Sequence, residues 1–354
     1  MQQTAEQRDI GKSVVAPHST GPARPWLLAD IGGTNARFGW LGCGGDEIQH
    51  VASLPVAAHA GPTAAARAYL AQLKLTLGAA WQSPAAGAFA VATAVSGDRI
   101  DFTNSGWSFS RAAVEHELGL QPLLILNDFE ALALSLPRLK ADQLRGWPAG
   151  PAGAAGGTLA VIGPGTGLGV AGLVPTPHGF VAVPGEGGHA TLAAVDAFES
   201  DLLAAARRLH PHVSAERLLS GIGLPVLHAA VSAVLGGETA PRAADALPMT
   251  AGQIIERGLS GSDELSSRTL DSFCALLGSF AGNVALTLGA RGGVYIGGGI
   301  VPRLGARFFE SRFRERFEAK GRFQAYLQAI PTALITDTLA ALAGAAQALE
   351  QHGR

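Results

Sequence analysis

With 354 residues and 47% apolar side chains, the chain is too long for one ordinary core and comfortable for two α/β domains. A net charge of -2, with no long basic block or stripe, points away from nucleic-acid and anionic-membrane partners. Its two cysteines, Cys43 and Cys274, form no CxxC or Cys/His cluster, which argues against structural zinc and fits a reducing cytoplasm.

Residues 1–25 are mixed polar and lack the apolar middle of a secretory signal, so they read as a disordered extension. The fold is expected from Trp26, where WLLADIG forms a buried strand and ARFGWLG its partner. Residues 61–77 read as a helix with Thr63 as N-cap. AGAFAVATAV (86–95) is a second buried strand. SRAAVEHELGL (110–120) is a short helix capped by Ser110 and ended by Gly119. PLLILN (122–127) is a strand, and FEALALSL a helix that stops before Pro137. A Gly/Pro/Ala loop (146–157) precedes the strand–turn–strand of 158–174. Segments 197–210 and 215–220 look helical, and 264–290 reads as one long helix or two. GGVYIGGG is a strand running into a glycine triplet, 304–319 a helix, and PTALIT a last strand before an apolar helix. No segment approaches the run of about 18 apolar residues that a membrane span needs.

The 47 glycines are not periodic. They cluster at 32–33, 163–172, 185–188 and 292–299, a pattern of tight turns or of backbone approaching a ligand. Two of these clusters resemble each other: DIGGTNARFG and IGPGTGLGVAG are each strand, Gly-Thr turn, strand. Strands alternating with helices imply α/β layers, and the mixture of hairpins and crossovers argues against a purely parallel sheet.

In the first turn, Gly32, Gly33, Thr34 and Asn35 leave backbone N–H groups uncovered beside a hydroxyl, a nest suited to phosphate oxygens. Asp30 would repel phosphate unless a cation intervenes, and Mg²⁺ takes one or two carboxylates plus water and phosphate oxygens. The alternative is a plain hairpin. Gly165, Thr166 and Gly167 form a second such nest, and Gly297, Gly298 and Gly299 offer bare backbone to an adenine or ribose, or to helix–strand packing. Asn127 and Asp128 stand at a strand's carboxyl end, where α/β sheets bind ligands. There Asp128 either caps the following helix or accepts a proton from a substrate hydroxyl. Glu186 and His189 lie in a glycine-flanked loop and suit a polyol. Glu216 reads first as an acid in the opening turn of a helix, and Asn104 as a turn residue or an amide for a hydroxyl. Trp107 and Phe109 are expected to pack.

Taken in order, ADIGGTNARF, FTNSGWSFS, LNDFEALA, GPGTGLGVA, PGEGGHATLA, HVSAERLLSG, YIGGGIVPRL and KGRFQAYL resemble the bacterial glucokinases that lack the zinc motif, within the superfamily of sugar kinases, chaperone ATPases and actin. The resemblance runs from about Trp26 to the C-terminus. It implies two RNase H-like, actin-like ATPase α/β domains with mixed sheets, helices on their faces and a hinged cleft. The small domain would be 26–138 plus 333–354 and the large domain 139–332. It implies glucose and ATP as substrates, Mg²⁺, a cytoplasmic setting and a homodimer, with no nucleic-acid or membrane partner. Asp128 would be the catalytic base on the sugar 6-hydroxyl. Asn104, Asn127, Glu186, His189 and Glu216 match the sugar-binding positions. Asp30 to Asn35 and Gly165 to Gly167 match the two phosphate motifs, and Gly297 to Gly299 the nucleoside motif. Leu339 and Ala340 stand where the family has Pro and Gly. The rival readings are a hexokinase for mannose or fructose, a non-catalytic sugar-sensing regulator, and an actin- or chaperone-like ATPase.

Overall fold

The structure, a computed structural model, describes residues 21–102, 105–147, 150–236 and 249–353. Most of the expected N-terminal extension and the candidate Asn104 lie outside the described residues. The chain groups into two compact α/β units. The first runs to Gln143 and adds Pro175–Pro184 and the stretch from Asp337; the second comprises Leu144–Val174 and Gly185–Thr336. A cut at 333 would pass through the last strand, which pairs within the second unit's sheet.

Thirteen strands occur among the described residues. In the first unit they are β1 (Trp26–Ile31), β2 (Asn35–Leu41), β3 (Ile48–Pro55), β4 (Ala86–Val91), β5 (Arg99–Asp101), β6 (Ser108–Ser110) and β7 (Leu123–Asn127). The main sheet has the order β3-β2-β1-β4-β7, and β5-β6 form a separate ribbon. β1 runs antiparallel to β2 and parallel to β4, and β4 runs parallel to β7. Successive β1 side chains point to opposite faces. Leu27, Ala29 and Ile31 therefore join the helices Pro62–Leu77 and Arg111–Leu118 in one core, with Trp107 and Phe109. Leu28 faces the other side, against Leu342, Ala345, Ala346 and Leu349 of the helix Ala340–His352. A central strand buried on both faces explains why WLLADI reads as a nearly continuous apolar run.

The six-stranded sheet is built from β8 (Leu144–Gly146), β9 (Leu159–Pro164), β10 (Leu168–Thr176), β11 (Gly179–Gly185), β12 (Gly293–Ile296) and β13 (Thr332–Ile335), of which residues 175–184 group with the first unit and the rest, including Gly185, with the second. Their sheet order is β11-β10-β9-β12-β13-β8. β9 is antiparallel to β10 and parallel to β12, and β12 is parallel to β13. Apart from the added edge strand β8, this repeats the order of the first unit. Both are mixed sheets of the RNase H-like kind, each opening on a hairpin that carries a Gly-Thr turn.

Two local expectations change, and one open alternative is settled. Gly61, not Thr63, is the N-cap of Pro62–Leu77, with Pro62 at its first position, where a missing N–H costs nothing. The 304–319 helix is broken into Val301–Leu304, Ala306–Glu310 and Phe313–Glu318, because Gly305 adopts a left-handed φ of 58° between the first two. The segment 264–290 is a single helix, Glu264–Leu288, capped by Asp263 and ended by Gly289. Contrary to the sequence reading, this helix is long and apolar enough to cross a membrane, but 78% of its apolar window is buried in the second unit's core.

Candidate active site

In the first unit, Asp30 lies opposite Arg37 in the β1–β2 register, with Arg37 Nη1 3.8 Å from Asp30 Oδ2. Burial raises the Asp30 carboxyl above its ordinary range, and the guanidinium partly opposes that shift. Arg37 Nη1 also donates to the Thr338 carbonyl at 2.6 Å, which ties the segment before the last helix to the first turn. The turn closes where Gly32 N–H donates to Asn35 O at 2.9 Å, and Thr34 O accepts from Val56 N–H at 2.8 Å. Gly32 and Gly33 are half-buried, whereas Thr34 and Asn35 are exposed. Arg37 is the residue that sequence reasoning missed, although its place across the hairpin from Asp30 was the available signal.

At the end of β7, the structure separates the two roles that Asp128 could have. The cap is Asn127. Its Oδ1 accepts from Phe129 N–H (2.9 Å) and Glu130 N–H (3.4 Å), while Glu130 Oε2 accepts from Asn127 N–H (3.3 Å). This reciprocal capping box satisfies the orphan donors of the first turn. Asn127 Nδ2 donates to Thr93 O at 3.1 Å, which fixes the amide's orientation. Asp128, the first helical residue, lies half-buried with Oδ1 accepting from Phe129 N–H at 3.0 Å. Capping thus falls to its neighbour, and the Asp128 carboxylate sits at a strand's carboxyl end in the field of a helix N-terminus.

In the second unit, four separate stretches of sequence meet around one turn. Gly165 N–H donates to Gly167 O at 2.9 Å to close it. Gly165 and Gly167 are half-buried, while Thr166 is exposed. The Glu186–His189 loop lies against the outgoing strand: a Cβ on Gly188 would come within 2.0 Å of Leu168 O. The glycine triplet lies against the incoming strand. Gly298 has φ of 78°, and a Cβ there would meet Pro164 O at 2.4 Å. Gly297 is buried, with its N–H donating to Ile162 O at 2.7 Å, while Gly299 has nothing within 4 Å of a built Cβ. Within the triplet, Gly298 meets a packing demand and Gly299 presents open backbone.

The fourth stretch corrects an expectation. Residues 215–220 form turns rather than a helix, so Glu216 is not a first-turn acid. Its Oε2 accepts from Leu168 N–H at 2.8 Å. Its Oε1 lies 3.8 Å from His189 Nε2, and Glu186 Oε2 lies 3.9 Å from the same nitrogen. Three of the residues assigned to sugar therefore converge on one imidazole. Glu186 and His189 remain largely exposed, whereas the Glu216 side chain is 21% exposed. Two acids and an imidazole offer several acceptors and a donor to vicinal hydroxyls, next to a turn of bare backbone.

The sequence model of the Glucokinase family matches residues 27–352. The chain belongs to the glucokinase family. It is 47% identical over 334 residues to the glucokinase of Aromatoleum aromaticum, covering 94% of this chain and 97% of that one. It is 48% identical over 336 residues to the glucokinase of Chromobacterium violaceum, covering 94% and 92%. Among solved structures, a glucokinase from an Antarctic psychrotroph superposes with a TM-score of 0.81 at 38% identity, covering 92% of this chain and 98% of that one. The family's two-domain, actin-like fold is thus the fold of this chain, and ATP is the co-substrate that the family implies.

Proposed function

We propose that the chain is a glucokinase, which converts ATP and D-glucose to ADP and D-glucose 6-phosphate. The observation that carries the proposal is the convergence of Glu186, His189 and Glu216 beside the Gly165–Gly167 turn. That convergence supports a polyol-binding cluster beside a phosphate cradle. Family membership supports the same reading. Asp128 accepts the proton of the 6-hydroxyl, and that oxygen attacks the γ-phosphorus in line as the bond to the β-phosphate oxygen breaks. Asn127 holds its amide toward a sugar hydroxyl while its carbonyl caps the helix. Asn104 takes a further hydroxyl. The Gly32–Asn35 and Gly165–Gly167 turns hold phosphate oxygens, and Gly299 lets the nucleoside approach the backbone.

Mg²⁺ fits beside Asp30. That carboxylate keeps 30% of its side chain accessible next to the first turn, and no cluster of three His, Cys, Asp or Glu side chains occurs among the described residues. A cation held by one carboxylate and otherwise by phosphate and water suits Mg²⁺. When bound, it neutralises charge on the β- and γ-phosphates. We assign the enzyme to the cytoplasm, as a homodimer.

The test is a kinase assay over a panel of hexoses with ATP and Mg²⁺. Glucose is expected to be phosphorylated faster than mannose or fructose. A preference for either would reassign the sugar, and no turnover with any hexose would defeat the reading. Asp128→Asn is expected to lower kcat by about a thousandfold while glucose binding stays measurable. Undiminished turnover in that variant removes Asp128 as the base.

A further inference from the structure

Glu216 belongs to two groups at once. As a member of the Glu186–His189–Glu216 cluster it faces sugar. Through Oε2, it holds Leu168 N–H, the first residue beyond the Gly165–Gly167 turn. The hold is tight, since a Cβ on Gly167 would lie 2.4 Å from that same oxygen. The backbone around Glu216 grips both limbs of the turn. Glu216 N–H donates to Gly188 O at 2.8 Å, and Gly188 is the glycine pressed on Leu168 O. On the other limb, Gly221 N–H donates to Gly165 O at 2.8 Å.

A carboxylate beside a cradle for a polyanion is an electrostatic liability. Like charges close together oppose each other, the more so the less water stands between them. The Leu168 N–H absorbs part of that charge on Oε2. On Oε1 the only ring nitrogen nearby among the described residues is that of His189, at 3.8 Å, too long for a hydrogen bond. Sugar hydroxyls donating to Oε1 supply what is missing.

We propose that Glu216 is a positioning residue that links the two substrates. Without sugar its charge opposes phosphate at the Gly165–Gly167 turn, and with sugar bound the charge is absorbed and the turn receives ATP. The inference rests on the functional reading above but is tested apart from it. Because linkage is reciprocal, ATP bound at the turn strengthens sugar binding by the same factor.

The experiment measures binding of a non-hydrolysable ATP analogue with Mg²⁺, with and without saturating D-glucose. In the wild-type protein, glucose is expected to tighten the analogue's Kd by about tenfold. Glu216→Gln keeps an acceptor for Leu168 N–H but loses the charge. It is expected to bind the analogue without sugar at least as tightly as wild type, and to show a coupling factor near one at saturating glucose. Glu216→Ala loses the acceptor as well, and is expected to bind the analogue more weakly with or without sugar. Gly167→Ala pushes on Oε2 from the phosphate side and is expected to raise the KM for glucose. A wild-type coupling factor in Glu216→Gln, or unchanged analogue affinity in Glu216→Ala, overturns the proposal. Turnover of the wild-type protein reports on the glucokinase reading by itself, so the two can fail separately.

Discussion

The two Gly-Thr turns occupy the same place in repeated sheets, yet they are built differently. The first carries its own charge: Asp30 stands in β1 and Arg37 faces it from β2. At the position of Asp30, the second has Ile162, fully buried, and its nearest carboxylate comes from a distant turn in the form of Glu216. Glycines press on the second turn from two sides, at Gly188 and Gly298, whereas a Cβ on Gly32 would make only an ordinary contact, 3.7 Å from Asn35 O. A duplicated hairpin thus carries an ion pair in its own strands in one unit and, in the other, is a glycine-braced backbone turn held by a carboxylate from elsewhere in the chain.

The largest effect that would test the first unit's side of this contrast comes from a remote glycine. Gly344, in the helix Ala340–His352, packs on the helix of the proposed base, and a Cβ there would lie 1.6 Å from Ala131 O. Gly344→Ala must displace the helix that begins at Asp128. The expected loss is about a hundredfold in kcat, because a misplacement of about 1 Å has that cost. A kcat within about twofold of wild type would show that the helix is not held in place from behind.

Next comes Asp30→Asn, which removes the in-strand carboxylate that has no counterpart in β9. It is expected to lower kcat by tenfold or more, on the order of what is lost when groups that orient a metal are altered, and to raise the Mg²⁺ concentration needed for half-maximal rate. An unchanged Mg²⁺ dependence would make the two turns equivalent after all. On the other side, Gly298→Ala puts a side chain at positive φ against Pro164 O. It is expected to cost about 1–3 kcal/mol of stability and to raise the KM for ATP. A thermal melt that matches wild type would remove the bracing argument.

The smallest effect is one of pH, and its sign differs between the units. In the second unit, His228 Nε2 is buried without a hydrogen-bond partner among the described residues, in the helix Leu224–Gly236. Burial lowers its pKa below 6.5; Asp263, 3.9 Å away, partly opposes this, and Arg257 adds to it. Its neutral form is therefore preferred in the fold, so stability rises as pH rises from the lowered value to 6.5. Asp30 in the first unit is raised above 3.8, so its contribution falls as pH rises through the window above 3.8. His228→Gln is expected to flatten the loss of Tm on acidification below pH 6.5. A slope equal to wild type would assign that loss elsewhere.

What the sequence disclosed depended on the range of the interaction. Buried strands such as WLLADI were legible because both faces are covered by apolar residues, and Ser110 and Gly119 bracketed their helix through local bonds. The Asn127–Asp128 pair was legible as a strand end, but which of them capped the helix depended on a reciprocal bond to Glu130. Glu216 was misread because SAER has the look of a helix start. The segment instead spends its N–H groups on Ala190 O and Gly188 O, partners far off in sequence. The glycine clusters announced themselves by composition alone. Their reasons, Leu168 O for Gly188 and Pro164 O for Gly298, are contacts between segments that no local pattern carries.

The helix Ala340–His352 has a consequence in time as well as in space. One face of β1 is covered, together with Leu41, Ala86 and Ala88 of its own sheet, by Leu342, Ala345, Ala346 and Leu349, which are made after the whole second unit. Arg37, beside the first Gly-Thr turn, likewise waits for the carbonyl of Thr338. On the ribosome, the sheet that bears Asp30 and Asp128 must therefore stand half-covered while residues 144–336 emerge. That core layer closes only once the helix Ala340–His352 has been made.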